Sequence, residues 1–270
     1  SEPWRKRFGD EDGGRGGIHR LLRSLISGEL DCDRMDYLLR DAYFTGVAYG
    51  THDIEHLISN LGVVEGSEGL ARTIDSTAVR AFEDFLLARY HMFLQVYMHK
   101  TTIAFDWFLK KSLDAGEFAL VVPNDVIGYA GLRDTTMLER LYAAAENPEN
   151  VWARRLIFRQ PPKLMLVSSN AKPEERELMQ KVVVALDQAG VPHFTVTTRQ
   201  YLSKSNSDGK ATALLVRRKL LGRFVYEPIE NYSSLLNKYS EVIDNSHLYV
   251  LREDHEKAMA AVAEIASSGI

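Results

Sequence analysis

Between residues 18 and 113, apolar side chains recur every three or four positions, and this period restricts the fold more than any other feature. Ile18, Leu21, Leu22, Leu25 and Ile26 keep the helical spacing until Gly28 interrupts it, which predicts an amphipathic helix with a break after it. A second helical run covers residues 30–44 and stops near Gly46. A third begins where Thr51 can cap it, with Asp53 and Glu55 favouring the positive end of the dipole, and reaches about residue 61. The spacing over residues 77–113 predicts one long helix, apolar enough to lie inside a bundle.

Past Gly116 the pattern changes. Short β-rich stretches at 119–123, 163–168, 193–198, 211–216, 223–227 and 247–251 alternate with helical ones near 174–189 and 253–266. Gly222, following Arg217, Arg218 and Lys219, predicts a hairpin turn with a basic tip, and prolines and polar residues over 147–162 mark a boundary. The expected class is therefore a mainly α region followed by an α+β domain. Residues 1–17 are expected to form a flexible loop or a cut end, 18–150 a helical domain, and 151–270 the α+β domain. Residues 1–17 hold five glycines among charges, too few apolar groups to build a core.

With 45% apolar and 26% charged residues in 270 positions, the chain falls outside the disordered and fibrous classes. Its formal charge of −4 gives no global field that favours nucleic acid, so phosphate binding would need a local cluster of cations. The single cysteine, Cys32, cannot form an internal disulfide, and no leader or membrane-length apolar run is present. A cytoplasmic setting without membrane association is expected.

The second helix carries the densest chemistry. At 100° per residue, Asp33, Tyr37, Asp41 and Arg34 fall at about 0°, 40°, 80° and 100° around its axis, whereas Met35, Leu38, Leu39 and Ala42 fall between about 140° and 240°. A solvated amphipathic helix would show the same division. The acidic density is less ordinary: Asp31, Asp33, Asp36 and Asp41 lie close together in sequence, and aspartate is a poor mid-helix residue. A divalent cation would account for some of them.

These residues belong to a longer stretch, Leu25-Ile26-Ser27-Gly28-Glu29-Leu30-Asp31-Cys32-Asp33-Arg34-Met35-Asp36-Tyr37-Leu38-Leu39-Arg40-Asp41, followed by Tyr43-Phe44-Thr45-Gly46. It resembles the segment that carries the last metal ligand in HD-superfamily phosphohydrolases acting on deoxynucleoside triphosphates, and the likeness extends over roughly residues 18–113. The resemblance implies a partial HD-type helical bundle with Asp33 as metal ligand, Arg34 on substrate phosphate, and Tyr37 and Asp41 against the deoxyribose. The metal would be magnesium, manganese, iron, nickel or zinc. A second stretch, Ala88-Arg89-Tyr90-His91-Met92-Phe93-Leu94-Gln95-Val96-Tyr97-Met98-His99-Lys100, resembles the family's long helix lining the nucleotide site. On one continuous helix Arg89 and Lys100 would share a face within about 20°, with Tyr97 about 80° from Arg89. Guanidinium and ammonium groups suit a triphosphate. The bland alternative pairs Arg89 with Glu83 or Asp84 and places Tyr97 in the core.

The sequence departs from that family in one respect. The His and His-Asp ligands should precede the distant Asp, yet only His19 does so here, and the His52-Asp53 pair comes after it. One aspartate cannot hold a catalytic ion. The expectation is thus an enzyme that is inactive alone and needs an amino-terminal fragment or second subunit, within a homo- or hetero-oligomer that cleaves a dNTP to deoxynucleoside and triphosphate. A rival is an inactive regulatory subunit holding a nucleotide or nucleic acid through His99, Arg217, Arg218 and Lys219, or through Arg154 and Arg155. Another is a zinc protease, because His52-Asp53-Ile54-Glu55-His56 fits H-x-x-E-H.

Overall fold

A computed structural model describes residues 15–66, 69–169, 172–201, 214–233, 235–236, 242–263 and 265. In chain order the helices are α1 (Arg15–Ser27), α2 (Cys32–Thr45), α3 (Ile54–Ser59), α4 (Val79–Met92), α5 (Lys100–Asp114), α6 (Val126–Gly131), α7 (Asp134–Glu146), α8 (Val151–Ile157), α9 (Pro173–Gln188) and α10 (His255–Ala261). The strands are β1 (Leu61–Gly66), β2 (Gly69–Asp75), β3 (Lys163–Ser169), β4 (His193–Tyr201), β5 (Leu215–Leu220), β6 (Arg223–Pro228) and β7 (Val242–Val250). A mainly helical region is followed by an α+β region, as the periodicity implies. No helix among the described residues is long and apolar enough to cross a membrane.

Two compact units divide the chain at Val96/Tyr97 instead of within 147–162, and residues 200–243 belong with the first. The expected split into 18–150 and 151–270 overlooked this return, because the pairing that causes it joins residues far apart in sequence.

In the first unit, α2 packs on α4 and α1 lies against β2. Leu30, Leu38, Leu57, Ile74, Phe82, Phe85, Met92 and Val216 are fully buried, each side chain contributing about 1.5–3 kcal/mol of hydrophobic stabilisation. The sheet runs β1-β2-β5-β6. β1 and β2 pair antiparallel from Leu61 opposite Ile74 to Gly66 opposite Gly69, β5 joins β2 in parallel, and β5 and β6 pair antiparallel. The β1–β2 hairpin was not foreseen: three glycines in these two strands hide their alternation. The β5–β6 turn was foreseen, but Leu221 and Gly222 form its tip with φ of 47° and 82°, while Arg217, Arg218 and Lys219 lie along β5.

Local capping sets the helix ends. The Asp31 carboxylate accepts from the Arg34 amide at 2.8 Å, and Gly46 closes α2 with φ 71°, a conformation that a Cβ penalises. Helix α3 is capped by Asp53, whose carboxylate accepts from the His56 amide, and not by Thr51. The predicted long helix is broken: Phe93–Tyr97 form a π-helical turn, and His99, extended at φ −60° and ψ 136°, starts α5 by accepting from the Thr101 amide. The β-branched pair Thr101-Thr102 suits a first turn better than mid-helix.

In the second unit β7 lies between β3 and β4, with β3 antiparallel to β7. Met179, Val182 and Leu186 of α9, Leu248 and Val250 of β7, and Ala258 of α10 form one core; Phe118, Leu141, Ala144 and Ala153 form another beside α5, α7 and α8. Residues 119–123 are not a strand. Val121 and Val122 face solvent, and β-propensity without a neighbouring strand does not fix a ladder. The expected strand at 211–216 and helix at 253–266 lie partly outside the described residues; their described parts are β5 and, after a 3₁₀ turn at Arg252–Asp254, α10.

Candidate functional site

The connection between α1 and α2 folds around three arginines. Gly28 permits the turn, since a Cβ there would stand 2.2 Å from the Ser24 carbonyl oxygen and 2.4 Å from an Arg72 Nη. Arg72, carried in by β2, donates to the Leu30 carbonyl. Its Nε is buried with no hydrogen-bond partner among the described residues. Burial pushes its pKa down, and the carboxylates of Asp31 and Glu29 oppose that shift. Arg34, one residue beyond Asp33, turns back on the same loop. Its Nη1 donates to the Glu29 carbonyl at 3.1 Å and lies 3.9 Å from the Glu29 carboxylate, while its Nε stands 3.4 Å from Asp31.

Arg89 arrives from α4 and donates to Glu29 Oε1 at 3.2 Å, with its guanidinium 5.5 Å from the centre of the Phe93 ring. Glu29 therefore bridges two guanidiniums. The side chains of Arg34 and Arg89 are 8% and 5% exposed and that of Glu29 is 13%, so these charges interact where water screens little. Burial first, and then the positive charge of Arg34, hold the Arg89 pKa below its ordinary value. Tyr37, half-buried one helical turn beyond Arg34, has its hydroxyl pKa raised by burial, an effect that Arg89 and Arg34 counteract.

Among the described residues the buried part of this cluster holds three cations, Arg34, Arg72 and Arg89, against two carboxylates, Glu29 and Asp31. Guanidinium forks with surplus positive charge can receive an oxyanion such as a phosphate. Of the residues singled out from the sequence, Arg34, Tyr37 and Arg89 are brought together. Asp33 is exposed and Asp41 half-buried on the same helix. Arg89 pairs with neither Glu83 nor Asp84; Glu83 is held by Arg80 at 2.6 Å. Glu29 lies within the stretch that resembles the family, but its spacing marks no role for it, and Arg72 carries no signal because glycines hide the alternation of its hairpin.

Tyr97 ends the π-helical turn, His99 caps α5, and Lys100 begins it with its carbonyl accepting from the Tyr249 hydroxyl at 2.8 Å. The helix break removes the single face on which the periodicity placed Arg89 and Lys100. Arg217 pairs with Asp75 at 3.3 Å and lies over Phe224. Arg218 stands 3.8 Å from Glu227 and over Tyr232, while Lys219 is exposed. These arginines are partly neutralised along β5 and do not form a bare basic tip. Arg155 is likewise held by Glu253, and Arg154 donates to the Ala145 carbonyl at 2.7 Å.

The zinc-protease arrangement does not form. His52 precedes α3, so His52 and His56 are not successive turns of one helix face. His52 Nδ1 donates to the Gly50 carbonyl at 3.0 Å and its ring meets Phe85 edge-on, whereas His56 is exposed beside Asn60. Among the described residues no three His, Cys, Asp or Glu side chains gather closely enough to hold a metal ion. Taken alone they do not fit a divalent cation.

No protein-family model matches the chain. Its sequence is 32% identical over 130 residues to an uncharacterized protein of Methanocaldococcus jannaschii, covering 45% of this chain and 29% of that protein. It is 44% identical over 95 residues to the uncharacterized protein YwfO of Bacillus subtilis, covering 35% and 21%. The chain thus spans less than a third of the length of the curated relatives it matches. Among solved structures, a hypothetical protein of Aquifex aeolicus superposes with a TM-score of 0.65 at 25% identity, over 97% of this chain and 68% of the other. A phosphohydrolase of Bacteroides thetaiotaomicron superposes with a TM-score of 0.63 at 21% identity, over 93% and 71%. The chain shares its fold with that phosphohydrolase.

Proposed function

We propose that this chain supplies the phosphate-binding wall of a metal-dependent phosphohydrolase that cleaves a deoxynucleoside triphosphate to deoxynucleoside and inorganic triphosphate. The observation that carries the reading is the meeting of Arg34 and Arg89, from two helices, at the carboxylate of Glu29, with Tyr37 close enough to feel both cations. An incoming polyphosphate would replace Glu29 between the two guanidiniums, a group whose planar fork suits phosphate oxygens. Tyr37 and Asp41 would then meet the sugar.

Asp33 offers one carboxylate beside these groups. In this reading it supplies one oxygen ligand, and histidines from polypeptide outside this chain supply the others. A divalent ion held that way would polarise phosphorus–oxygen bonds or activate water. The residues of this chain bind and orient the phosphates.

Calorimetric titration of the chain with inorganic tripolyphosphate tests the wall directly. Arg89→Ala should weaken binding at least about tenfold, the loss expected for one charge-assisted contact. Unchanged binding would remove the assignment. In the complete assembly, dNTP hydrolysis should release deoxynucleoside and triphosphate and should stop with Asp33→Ala; release of orthophosphate instead would exclude the proposed reaction.

A further inference from the structure

The second unit contains a cavity of about 460 Å³ that the proposed chemistry does not use. Trp107, Lys111 and Asp114 line it from one face of α5, four and three residues apart; Trp152 enters from the first turn of α8, and His193 and Phe194 from the start of β4. The volume falls within the range of small-molecule sites, about 300–1,000 Å³.

Its walls are rings in contact. Phe194 lies parallel to Trp107 with centres 3.7 Å apart, and Tyr249 stacks on Phe194 at 5.2 Å. Trp152 meets Trp107 edge-on at 5.2 Å. The core beneath is already filled by Phe108, which is fully buried, while Trp107 and Trp152 are only partly buried. Two partly buried tryptophans lining a concavity are well suited to a flat ring.

The polar groups at the rim restrict the ligand further. The Lys111 ammonium stands 5.3 Å from the Trp107 ring centre. Nδ1 of His193 lies 3.0 Å from the Val191 carbonyl, which can only accept, so that nitrogen is the donor, while Nε2 faces the Asp187 carboxylate 3.9 Å away. Asp114 is exposed and acceptor-only. A flat ring with N–H donors meets the rings and Asp114, and an attached anion meets Lys111.

We infer that this cavity binds a nucleobase carrying a phosphate, either a free mononucleotide or one residue of a single strand. The rings supply the kind of stacking that holds bases in single-strand binders, and Lys111 supplies the charge contact. The site lies wholly within the second unit and uses none of the arginines of the first.

Tryptophan fluorescence of the full chain tests the inference with AMP as probe. AMP should give a saturable change that is largely lost with Trp152→Phe. Lys111→Ala should weaken AMP about tenfold and leave adenosine binding unchanged, because only the anion is lost as a partner. An equal response to ribose 5-phosphate, the absence of saturation with AMP, or AMP affinity unchanged by Lys111→Ala would each overturn the assignment. A short oligodeoxyadenylate decides the source: tighter binding than AMP with a steep salt dependence points to a single strand, and weaker binding to a free nucleotide.

Discussion

Arg89 and Glu29, sixty residues apart in sequence, meet at 3.2 Å inside the first unit, and the same carboxylate group faces Arg34 from its other oxygen at 3.9 Å. One acid thus keeps two buried cations apart. Removing it leaves both facing each other with little water between them, and breaking a buried pair by deleting one partner typically costs about 3–5 kcal/mol. Glu29→Gln should therefore lower the urea midpoint of unfolding substantially without changing the slope. If Glu29 holds the place of a phosphate, inorganic tripolyphosphate should restore stability to Glu29→Gln more than it stabilises the parent chain. Equal stabilisation of the two would show that Glu29 is only a structural tie.

Gly28 makes a separate claim about the same loop. A methyl group there would overlap the Ser24 carbonyl at 2.2 Å, which is backbone and cannot swing aside, and Arg72 Nη2 at 2.4 Å. Gly28→Ala should destabilise the chain by about 1–3 kcal/mol, the usual cost of overpacking, and should weaken tripolyphosphate binding because Arg72 and the loop bearing Glu29 must shift. Gly131→Ala, where a Cβ would meet nothing within 4 Å, is the control. Equal melting temperatures for the two variants would contradict the packing described.

Some of this arrangement was legible from residues alone, for definable reasons. The end of α2 at Gly46 rests on a local backbone preference, and such a signal survives in sequence because it needs only a few residues; Asp31, grouped by sequence with the acids that a cation would explain, is instead the cap that starts the helix. Gly222 announced the β5–β6 turn in the same way. The partner of Arg89 was not legible: nearby Glu83 and Asp84 were the candidates offered by spacing, yet the tertiary packing of α2 on α4 presents Glu29. The parallel pairing of β2 with β5, Thr73 opposite Leu215, has no local signature at all, and it is what returns residues 200–243 to the first unit. Helical periodicity also misled, because the apolar content of 93–97 fits a continuous helix while the backbone there takes a π-helical turn.

His52 supplies a pH dependence whose sign is fixed by its surroundings. Burial against Phe85 lowers its pKa below the ordinary 6.5, and the Gly50 carbonyl and Asp53 only partly offset this. The unfolded chain therefore binds the proton more readily than the folded one. The stability contributed by neutral His52 is complete above about pH 6.5 and is lost as pH falls through that value toward the folded pKa. His247, also shifted down by burial, acts in the same direction. Unfolding midpoints measured from pH 8 to pH 5 should fall, and His52→Gln should flatten part of the decline. An unchanged slope in His52→Gln would show that His52 ionises equally in both states.

Glu117 holds the start of α8 from outside the helix. Asn150, at the cap position, makes no side-chain capping bond to the helix amides and instead donates from Nδ2 to the carbonyls of Ala144 and Glu117. The open amides of Trp152 and Ala153 are taken by the two oxygens of the Glu117 carboxylate, at 3.0 and 2.7 Å. A carboxylate there satisfies two donors and also meets the positive end of the helix dipole. Glu117→Gln retains one acceptor oxygen but loses the charge, and Glu117→Ala loses both acceptors. The expected order of stability is parent, Glu117→Gln, Glu117→Ala, with about 1 kcal/mol or more lost in the alanine variant, as for a missing cap. Because the Trp152 amide is one of the donors, its emission should shift in the same order. Two variants of equal stability would show that these amides are adequately served by water and that the contact with Glu117 contributes nothing.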